Sequence, residues 1–321
     1  NPKKIKFLDL VFLNADFLEV YFETIHKKIN TKYILITHNS DRSISSSEMH
    51  LADEKIVHWF AQNLCIPENE KITAIVACRM GSSRFPGKTL HPILGKPMIY
   101  RIIERIQKSK YVDNIIIATT VSKEDDAIQQ WCDDNNIQCF RGSALDVLDR
   151  LHSVVEKFKI EHMIEILGDN PLIHSDMIDD SIECYFDNSS DYTATITNEY
   201  SLVTGDYFKF PIGVRVEIIS KSAIERCHKS ANTPEYREHA TSYILKNPGI
   251  FKTTYLEAKG SHHKCNKPEL TFAVNLHNNM LLIERIFDDC YEEDNNFTVG
   301  DAIDSYDRNF GLSKLMGNDA F

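Results

Sequence analysis

Short apolar runs alternate with segments whose apolar residues recur every three or four positions, from residue 71 to about residue 167. The short runs predict buried strands, and the three-to-four spacing predicts amphipathic helices. The predicted strands cover residues 72–78, 114–119, 138–141 and 162–167, and the predicted helices cover residues 98–108, 124–135 and 146–157. This alternation predicts an α/β fold with a doubly wound, mostly parallel, Rossmann-like sheet and right-handed crossovers.

The patterns on either side of this region are weaker. Residues 1–70 predict a small α/β N-terminal block, with strands at 7–13 and 33–37, helices at 18–29 and 54–63, and a Ser-rich loop at 39–47. Polar residues around Pro67 mark a boundary, so we assign 1–70 as a block of unknown role and 71–321 as the main domain. Within 190–321 we predict a strand at 214–218 and helices at 222–229, 238–246 and 279–288.

The composition is that of an acidic globular protein, with 321 residues, 42% hydrophobic content and a formal net charge of −11. The negative charge argues against a nucleic-acid partner. No apolar run approaches the length of a membrane span, and Asp9, Asp16 and Glu19 interrupt the N-terminal apolar stretch, so neither a membrane partner nor a signal peptide is expected. The eight cysteines are scattered, which indicates reduced thiols and a cytoplasmic location.

The segment after the first strand of the main domain concentrates glycine, serine and positive charge. Residues 79–88 read Arg-Met-Gly-Ser-Ser-Arg-Phe-Pro-Gly-Lys. Glycines let the backbone approach a ligand, and successive N–H groups can form an anion nest. Arg79, Arg84 and Lys88 add cations that suit a polyphosphate, although the spacing is not that of a Walker A or Gly-x-Gly-x-x-Gly motif. The alternative is that these cations are ordinary solvated charges on a strand-to-helix connection.

Other polar motifs follow the predicted strands at their carboxyl ends, which is where ligands bind to open parallel sheets. They are Thr119, the Arg-Gly-Ser sequence at 141–143, and the Gly-Asp-Asn-Pro sequence at 168–171. A carboxylate that faces a phosphate loop favours Mg²⁺ between them, because carboxylate and phosphate otherwise repel each other. The alternative is that Asp169 is a turn residue that caps the next helix.

The loop at 79–88 resembles the signature loop of the cytidylyltransferase superfamily, which includes the CMP-Kdo and CMP-sialate synthetases. The most similar branch is the spore-coat polysaccharide biosynthesis type, and the resemblance extends from about residue 71 to the C-terminus. It implies a nucleotide-diphospho-sugar transferase-like sheet. Residues 168–173 resemble the family motif Gly-Asp-x-Pro-Leu-Ile, which implies that Asp169 is a magnesium ligand.

The Arg-Gly-Ser sequence, with Asp146, Asp149 and Arg150, also resembles a motif of the spore-coat branch. The resemblance implies that this region lies beside the base and ribose of the nucleotide. The predicted nucleotide-binding residues are Ala77, Gly81, Ser82, Ser83, Thr119, Arg141, Gly142 and Ser143. Ser143 can instead be a helix N-cap with Asp146 in the first turn, and Arg150 can be a surface residue of that helix.

Two later segments resemble the same branch. Residues 211–217 match its Pro-x-Gly-x-x-x-Glu pattern, and residues 237–239 match its Arg-Glu-His pattern. They suggest acceptor-binding residues: Arg215 or Arg237 for a phosphate or carboxylate, and Glu217 or His239 for positioning. The alternative for each residue is structural, as an Arg-Glu ion pair or a histidine with its hydrogen bonds satisfied.

Asn275 departs from the family pattern, in which a strand ends in Val-Asp and the aspartate helps to hold magnesium. An amide oxygen can coordinate Mg²⁺ but carries no charge, so we expect weaker metal binding. His262, His263 and His277 lie near it in the sequence without zinc-ligand spacing, and we expect them at the surface.

The hypothesis is a Mg²⁺-dependent nucleotidyltransferase that transfers CMP from CTP to a sugar acid or sugar phosphate, with release of pyrophosphate, in surface polysaccharide biosynthesis. Arg79, Arg84 and Lys88 are the predicted catalytic residues, and Asp169 and Asn275 are the predicted metal ligands. A glycosyltransferase is one alternative, although the chain lacks an Asp-x-Asp motif. A non-catalytic nucleotide-binding subunit is another. The base and the acceptor stay open, and because relatives are commonly dimers, a homodimer is expected.

Overall fold

The computed structural model describes residues 9–14, 17–38, 55–61, 70–199, 205–291 and 297–309. The chain divides into two units, Asn1–Glu70 and Lys71–Phe321. No helix in the described ranges is both long and apolar enough to cross a membrane. The cysteines in these ranges, which are all of the eight except Cys65, are free thiols, and four of them are buried.

The N-terminal unit contains a three-stranded parallel sheet. Its elements are β1 (Leu10–Asn14), α1 (Leu18–Thr24), β2 (Tyr33–His38) and β3 (Ile56–Ala61), with the strands in the order β1-β2-β3. Helix α1 connects two parallel neighbours and contributes Leu18 and Tyr21 to a small core with Tyr33 and Leu35. The Tyr21 hydroxyl donates a hydrogen bond of 2.8 Å to the Tyr33 hydroxyl inside this core.

The prediction of a helix at 54–63 is wrong, because residues 56–61 form strand β3. The sequence Ile-Val-His-Trp-Phe-Ala is rich in β-branched and aromatic residues, which favour strands. In so short an apolar run, the spacing of apolar residues does not distinguish a strand from a helix. The segment forms a strand because it pairs in parallel with β2. The Ser-rich loop predicted at 39–47 and the boundary around Pro67 lie outside the described residues.

The main unit contains a seven-stranded sheet and a two-stranded hairpin. Its strands are β4 (Ile72–Ala77), β5 (Pro92–Ile93), β6 (Lys96–Pro97), β7 (Val112–Thr120), β8 (Gln138–Gly142), β9 (His162–Leu167), β10 (Tyr192–Thr195), β11 (Glu217–Ser220) and β12 (Thr253–Leu256). Strands β5 and β6 form the hairpin, and the others form the sheet in the order β12-β10-β11-β9-β4-β7-β8. Strand β11 is antiparallel to both neighbours and the other pairs are parallel, which confirms the predicted, mostly parallel sheet.

Nine helices of the main unit are described. They are α2 (Met98–Ile106), α3 (Asp126–Asp134), α4 (Val147–Phe158), α5 (Ser175–Asp187), α6 (Lys221–Ser230), α7 (Pro234–Glu238), α8 (Ser242–Lys246), α9 (His277–Cys290) and α10 (Val299–Arg308). The N-cap of α4 is Asp146, whose carboxylate accepts a hydrogen bond of 2.8 Å from the backbone N–H of Asp149. Ser143 is therefore not the N-cap, although its hydroxyl accepts a bond from the N–H of Asp146.

The predicted elements between 71 and 167 are all present with ends shifted by a few residues, whereas the predictions for 190–321 are less accurate. Of the helix predicted at 238–246, only residues 242–246 are helical, as α8, because α7 ends at Glu238 and the backbone leaves the helical region at His239. The strand predicted at 214–218 begins three residues later, as β11. Strands β10 and β12 and helices α5 and α10 were not predicted.

Both faces of the sheet are covered, since every residue of β4 from Ile72 to Val76 is buried. On one face, Ile75 of β4 and Met163 of β9 pack with Leu148 and Leu151 of α4 and with Ile224 of α6. Helix α4 crosses this core with its N-terminus towards the carboxyl ends of the strands. The core therefore stops below the strand ends and leaves room for a cavity there.

Candidate active site

A cavity of about 870 Å³ lies at the carboxyl ends of β4 and β9. The 79–88 loop, the first turns of α4 and the α7–α8 segment form its walls. Of the residues predicted from sequence, the following line it: Ala77, Arg79, Ser82, Ser83, Arg84, Lys88, Asp169, Arg215, His239 and Asn275. Residues from five separate stretches of sequence thus face one space.

The 79–88 loop is folded around the backbone of Met80. The carbonyl of Met80 accepts hydrogen bonds from the N–H groups of Ser82 and Gly87, and its own N–H donates a bond of 2.6 Å to Asp125 Oδ1. Gly87 has a φ of 77°, a left-handed conformation that favours glycine. Asp125 is fully buried and also accepts a bond from the Thr120 hydroxyl, so it anchors the loop to the end of β7.

Two of the three loop cations contact the predicted metal ligands. Lys88 Nζ donates to Asp169 Oδ2 at 2.8 Å and to the carbonyl oxygen of Val274 at 2.7 Å. A guanidinium nitrogen of Arg84 donates to Asn275 Oδ1 at 2.9 Å. Arg79 also lines the cavity, and its guanidinium makes no hydrogen bond within the described ranges. The loop therefore brings its positive charge to the side of the cavity where Asp169 and Asn275 lie.

The donor chemistry of Asp169 and Asn275 fits Mg²⁺, which is bound through one or two carboxylates together with substrate phosphates and water. Lys88 occupies one oxygen of Asp169, and the other oxygen, Oδ1, makes no hydrogen bond with the described residues. The described residues contain no group of three or more His, Cys, Asp or Glu side chains that could hold a metal alone. An ion at this position would therefore need the phosphates of a nucleotide as further ligands.

Five of the predicted nucleotide-binding residues do not line the cavity. They are Gly81, Thr119, Arg141, Gly142 and Ser143. Arg141 instead joins the ends of β7 and β8 to α3, with bonds of 2.8 Å to the Thr120 carbonyl, 2.7 Å to the Ser122 carbonyl and 2.6 Å to Asp126. Thr119 is fully buried inside β7. Their nucleotide-binding roles stay predictions.

The predicted acceptor residues separate into two sets. Arg215 and His239 line the cavity, whereas Glu217 and Arg237 do not. Arg215 is buried and forms an ion pair with Glu217, and it also donates to the Thr241 hydroxyl at 3.1 Å. Arg237 points to the N-terminus of α4 and pairs with Asp146 at 2.6 Å. The cations expected to meet an anionic acceptor are thus engaged with carboxylates of the protein.

Sequence reasoning missed the charged residues at the bottom of the cavity. Glu165 of β9 is 5% exposed and pairs in register with Glu217 of β11, while Glu199 lies 3.7 Å from Arg215. Burial raises the pKa of Glu165 to about 8, and the neighbouring Glu217 adds to the rise, against the opposing charges of Arg215 and Arg150. Burial likewise raises the pKa of Glu199. The signal in the sequence was a single charge inside the apolar run Met-Ile-Glu-Ile-Leu.

The interpretation of Arg150 as a surface residue is wrong. It is 4% exposed, lines the cavity, and donates a bond of 2.7 Å to the carbonyl of Ser143. The same correction applies to His262, which is buried and bonded to Asp180 at 2.7 Å, whereas His263 and His277 are exposed as expected. Arg150 is buried because Asp146 starts α4 at the strand ends, and this start directs its first turns towards the cavity.

Gly168 allows the strand ends to meet below the cavity. A Cβ at this position would lie 2.4 Å from Cys78 Cβ and 2.9 Å from the carbonyl oxygen of Ala77. The N–H of Gly168 donates to that same carbonyl at 2.9 Å. This close approach holds Asp169, the next residue, against the 79–88 loop.

The fold and the cavity together define a nucleotide-binding α/β protein with a basic loop after its first core strand. The family model described as cytidylyltransferase matches residues 73–278. The chain belongs to the cytidylyltransferase family of nucleotidyltransferases, which confirms the resemblance found in the sequence. The match includes the 79–88 loop, Asp169 and Asn275. It also includes the floor of the cavity, which is formed by Arg150, Glu165, Glu199 and Arg215.

Individual relatives agree with the family. The chain is 32% identical over 192 residues to the spore coat polysaccharide biosynthesis protein SpsF of Bacillus subtilis, covering 58% of this chain and 75% of that protein. It is 36% identical over 187 residues to an uncharacterised protein of Methanocaldococcus jannaschii, covering 58% and 72%. A solved cytidylyltransferase of Leptospira borgpetersenii superposes with a TM-score of 0.67 at 22% identity over 79% of this chain and 99% of that one, which supports the fold.

Proposed function

We propose that this protein transfers CMP from CTP to an acceptor oxygen of a sugar acid or sugar phosphate and releases pyrophosphate, in the biosynthesis of a surface polysaccharide. The observation that carries the proposal is that Arg79, Arg84 and Lys88 line one wall of a cavity, where Lys88 contacts Asp169 and Arg84 contacts Asn275. The family and the name of the Bacillus subtilis relative support the choice of nucleotide and of pathway.

The residues would act by positioning and by charge neutralisation. The acceptor oxygen forms a bond to the α-phosphorus, the bond from that phosphorus to the bridging oxygen breaks, and pyrophosphate carries the leaving charge away. Arg79, Arg84 and Lys88 would hold the phosphates and stabilise the charge that builds on them. Asp169 and Asn275 would hold Mg²⁺, which supplies further charge neutralisation when it is bound with the nucleotide.

The test is the Lys88→Ala variant. Removal of one fixed cation from the reacting phosphates is expected to lower kcat for pyrophosphate release from CTP by about 100-fold or more. The fold should survive, because Asp169 is partly exposed and can be hydrated once its partner is gone. Lys123→Ala, at an exposed lysine outside the cavity, is the matched control. Near-normal activity of Lys88→Ala in a folded protein would refute the assignment.

A second candidate is a nucleotide-binding subunit without catalysis, which the neutral amide of Asn275 favours. It predicts that CTP binds with Mg²⁺ and that no acceptor is converted. Calorimetric titration with CTP, followed by a pyrophosphate assay with sugar acids and sugar phosphates, separates the two functions. Binding without turnover across that set would support the second candidate.

A further inference from the structure

Arg150 of α4 is a buried cation without a counter-ion. The residue is 4% exposed, and it forms no ion pair with any residue that the structure describes. Within those ranges its guanidinium makes a single hydrogen bond, in which Nη1 donates to the carbonyl of Ser143 at 2.7 Å. Buried charges are normally paired, because an uncompensated charge is costly to remove from water. The surroundings of Arg150 are therefore incomplete without an anion.

The acidic groups near Arg150 do not supply this anion. They are Cys78, Glu165 and Asp125. Burial raises the pKa of the Cys78 thiol, so the thiol is uncharged at neutral pH. Glu165 has a pKa of about 8, so most of it is protonated at neutral pH as well. The carboxylate of Asp125 accepts a bond of 2.6 Å from the N–H of Met80 and is thus committed to the 79–88 loop.

One nitrogen of the Arg150 guanidinium is available to a ligand. Nε is fully buried and makes no hydrogen bond with the described residues. Nη2 makes no hydrogen bond with them either, but unlike Nε it retains accessible surface. Since Arg150 lines the cavity, a ligand there can accept a hydrogen bond from Nη2.

Arg79 is a second cation of the cavity that forms no ion pair within the described part of the chain. Burial lowers the pKa of Arg150, and although the nearby acidic groups oppose this, the positive charge of Arg79 lowers the pKa further. The two cations are therefore close enough to repel each other. The other two loop cations differ, because each of them contacts a predicted metal ligand. An anion that entered the cavity would offset the repulsion between Arg79 and Arg150.

The anion that suits both residues is a phosphate group. Each guanidinium presents its N–H donors in a planar fork that matches phosphate oxygens, and one phosphate has enough oxygens to accept from more than one arginine. Arg79 also belongs to the loop proposed to hold the triphosphate.

We propose that Arg150 binds a phosphate group of the nucleotide together with Arg79, and so extends the phosphate site from the 79–88 loop to α4. This inference rests on the proposed nucleotidyl transfer and adds a residue that contacts its substrate. A sugar phosphate acceptor carries the same chemical group, and the experiment below separates these two sources.

The experiment measures ligand binding and thermal stability of the full chain. Calorimetry with Mg²⁺ follows pyrophosphate and CTP, and saturation-transfer NMR follows cytidine alone and glucose 1-phosphate in the presence of CMP. The variants are Arg150→Met, which keeps a long side chain without charge, and Arg150→Lys, which keeps the charge without the fork. Arg101→Met is the matched control, because Arg101 is 3% exposed, lies outside the cavity and donates to the carbonyls of Ile93 and Leu94.

We expect Arg150→Met to weaken the binding of pyrophosphate and CTP by about tenfold or more, because a charge-assisted hydrogen bond is lost. Arg150→Lys should weaken both by about threefold, because a single ammonium group replaces the fork. Cytidine should bind every variant within about twofold of the wild type. Without ligand, Arg150→Met should not lower Tm, because it removes a buried charge that has no counter-ion. Arg101→Met should lower Tm and leave the binding of pyrophosphate unchanged.

Several results would overturn the proposal. Wild-type affinity of Arg150→Met for pyrophosphate and CTP would show that Arg150 has only a structural role. A fall in cytidine affinity as large as the fall in CTP affinity would assign Arg150 to the nucleoside, and a loss of glucose 1-phosphate affinity alone would assign it to the acceptor. If Arg150→Met does not fold, unchanged affinity of Arg150→Lys for pyrophosphate would contradict the contact.

Failure of the proposed function gives a different result. A wild type that binds pyrophosphate through Arg150 but converts no sugar acid or sugar phosphate with CTP would refute the nucleotidyl transfer and leave this phosphate site in place.

Discussion

The buried carboxyl of Glu165 makes the stability of the protein depend on pH in a direction that can be calculated. Its pKa rises from 4.5, the ordinary value that applies to the unfolded chain, to about 8 in the folded protein. Between these two values the folded state binds the proton and the unfolded state does not. The free energy of unfolding that Glu165 contributes is therefore fully present below pH 4.5 and is lost as the pH rises to 8.

The magnitude follows from the size of the pKa difference. At 1.36 kcal/mol per pKa unit, a rise from 4.5 to about 8 corresponds to about 5 kcal/mol. Glutamine has nearly the same shape as glutamate and no titratable group. The Glu165→Gln variant should therefore not lose free energy of unfolding at this position between pH 4.5 and pH 8. Its free energy of unfolding, measured relative to the wild type, should increase by up to about 5 kcal/mol from pH 4.5 to pH 8 and stay constant above that.

Urea unfolding of the two proteins between pH 4.5 and pH 9 checks this expectation. The difference in free energy of unfolding between the variant and the wild type at each pH removes the contribution of the other carboxylates, because both proteins contain them. Glu161→Gln, at a largely exposed glutamate just before the same strand, should show no such divergence. A difference between Glu165→Gln and the wild type that does not change with pH would refute the reasoning, since it would mean that the carboxyl ionises in the folded state as it does in water.

Two further substitutions test how the site is held. Gly168→Ala should lower the free energy of unfolding by about 1–3 kcal/mol and lower Tm, because its Cβ would lie 2.4 Å from Cys78 Cβ. The control is Gly249→Ala, where a Cβ meets nothing within 4 Å and the stability should not fall. Equal Tm values in the two variants would contradict the packing at the strand ends. Asp125→Ala removes the acceptor for Met80 N–H and should cost about 1–3 kcal/mol and weaken CTP binding, as measured by thermal unfolding and calorimetry. Unchanged affinity for CTP would show that the loop does not depend on this anchor.

The sequence predicted the central part of the fold well because parallel strands buried on both faces read as uninterrupted apolar runs. Strand β9, at His162–Leu167, was predicted to the residue for this reason. Strands β10 and β12 were missed because each has four residues, Tyr-Thr-Ala-Thr and Thr-Thr-Tyr-Leu, with no clear period. Strand β3 was assigned as a helix because six apolar and aromatic residues fit both structures until a neighbouring strand is known.

The candidate site was predictable where it is local in sequence. Arg79, Arg84 and Lys88 share one loop, and Asp169 follows a strand, so a motif shows them directly. The floor was not predictable, because Glu165, Glu199 and Arg150 come from three separate segments that only the sheet topology brings together. Arg215 shows a different limit. Its sequence motif contains both the cation and a carboxylate, Glu217, two residues later, and the structure shows that they form an ion pair, which is the alternative that the sequence left open.

Asn275 is expected to affect both nucleotide binding, through Arg84, and Mg²⁺ binding, as a ligand. In the structure, Arg84 donates a hydrogen bond to the neutral amide oxygen of Asn275, and Lys88 forms an ion pair with Asp169. A triphosphate competes for both cations, and a cation leaves an amide more easily than a carboxylate. Asn275→Asp should therefore lower the Mg²⁺ concentration needed for half-maximal pyrophosphate release, because it adds a charged ligand. It should also weaken CTP binding in the absence of Mg²⁺ by about tenfold, because the new carboxylate holds Arg84 more strongly. Calorimetry with EDTA and a Mg²⁺ titration of activity measure the two effects. If the variant bound CTP equally well without Mg²⁺, Arg84 would not be the residue that exchanges Asn275 for phosphate.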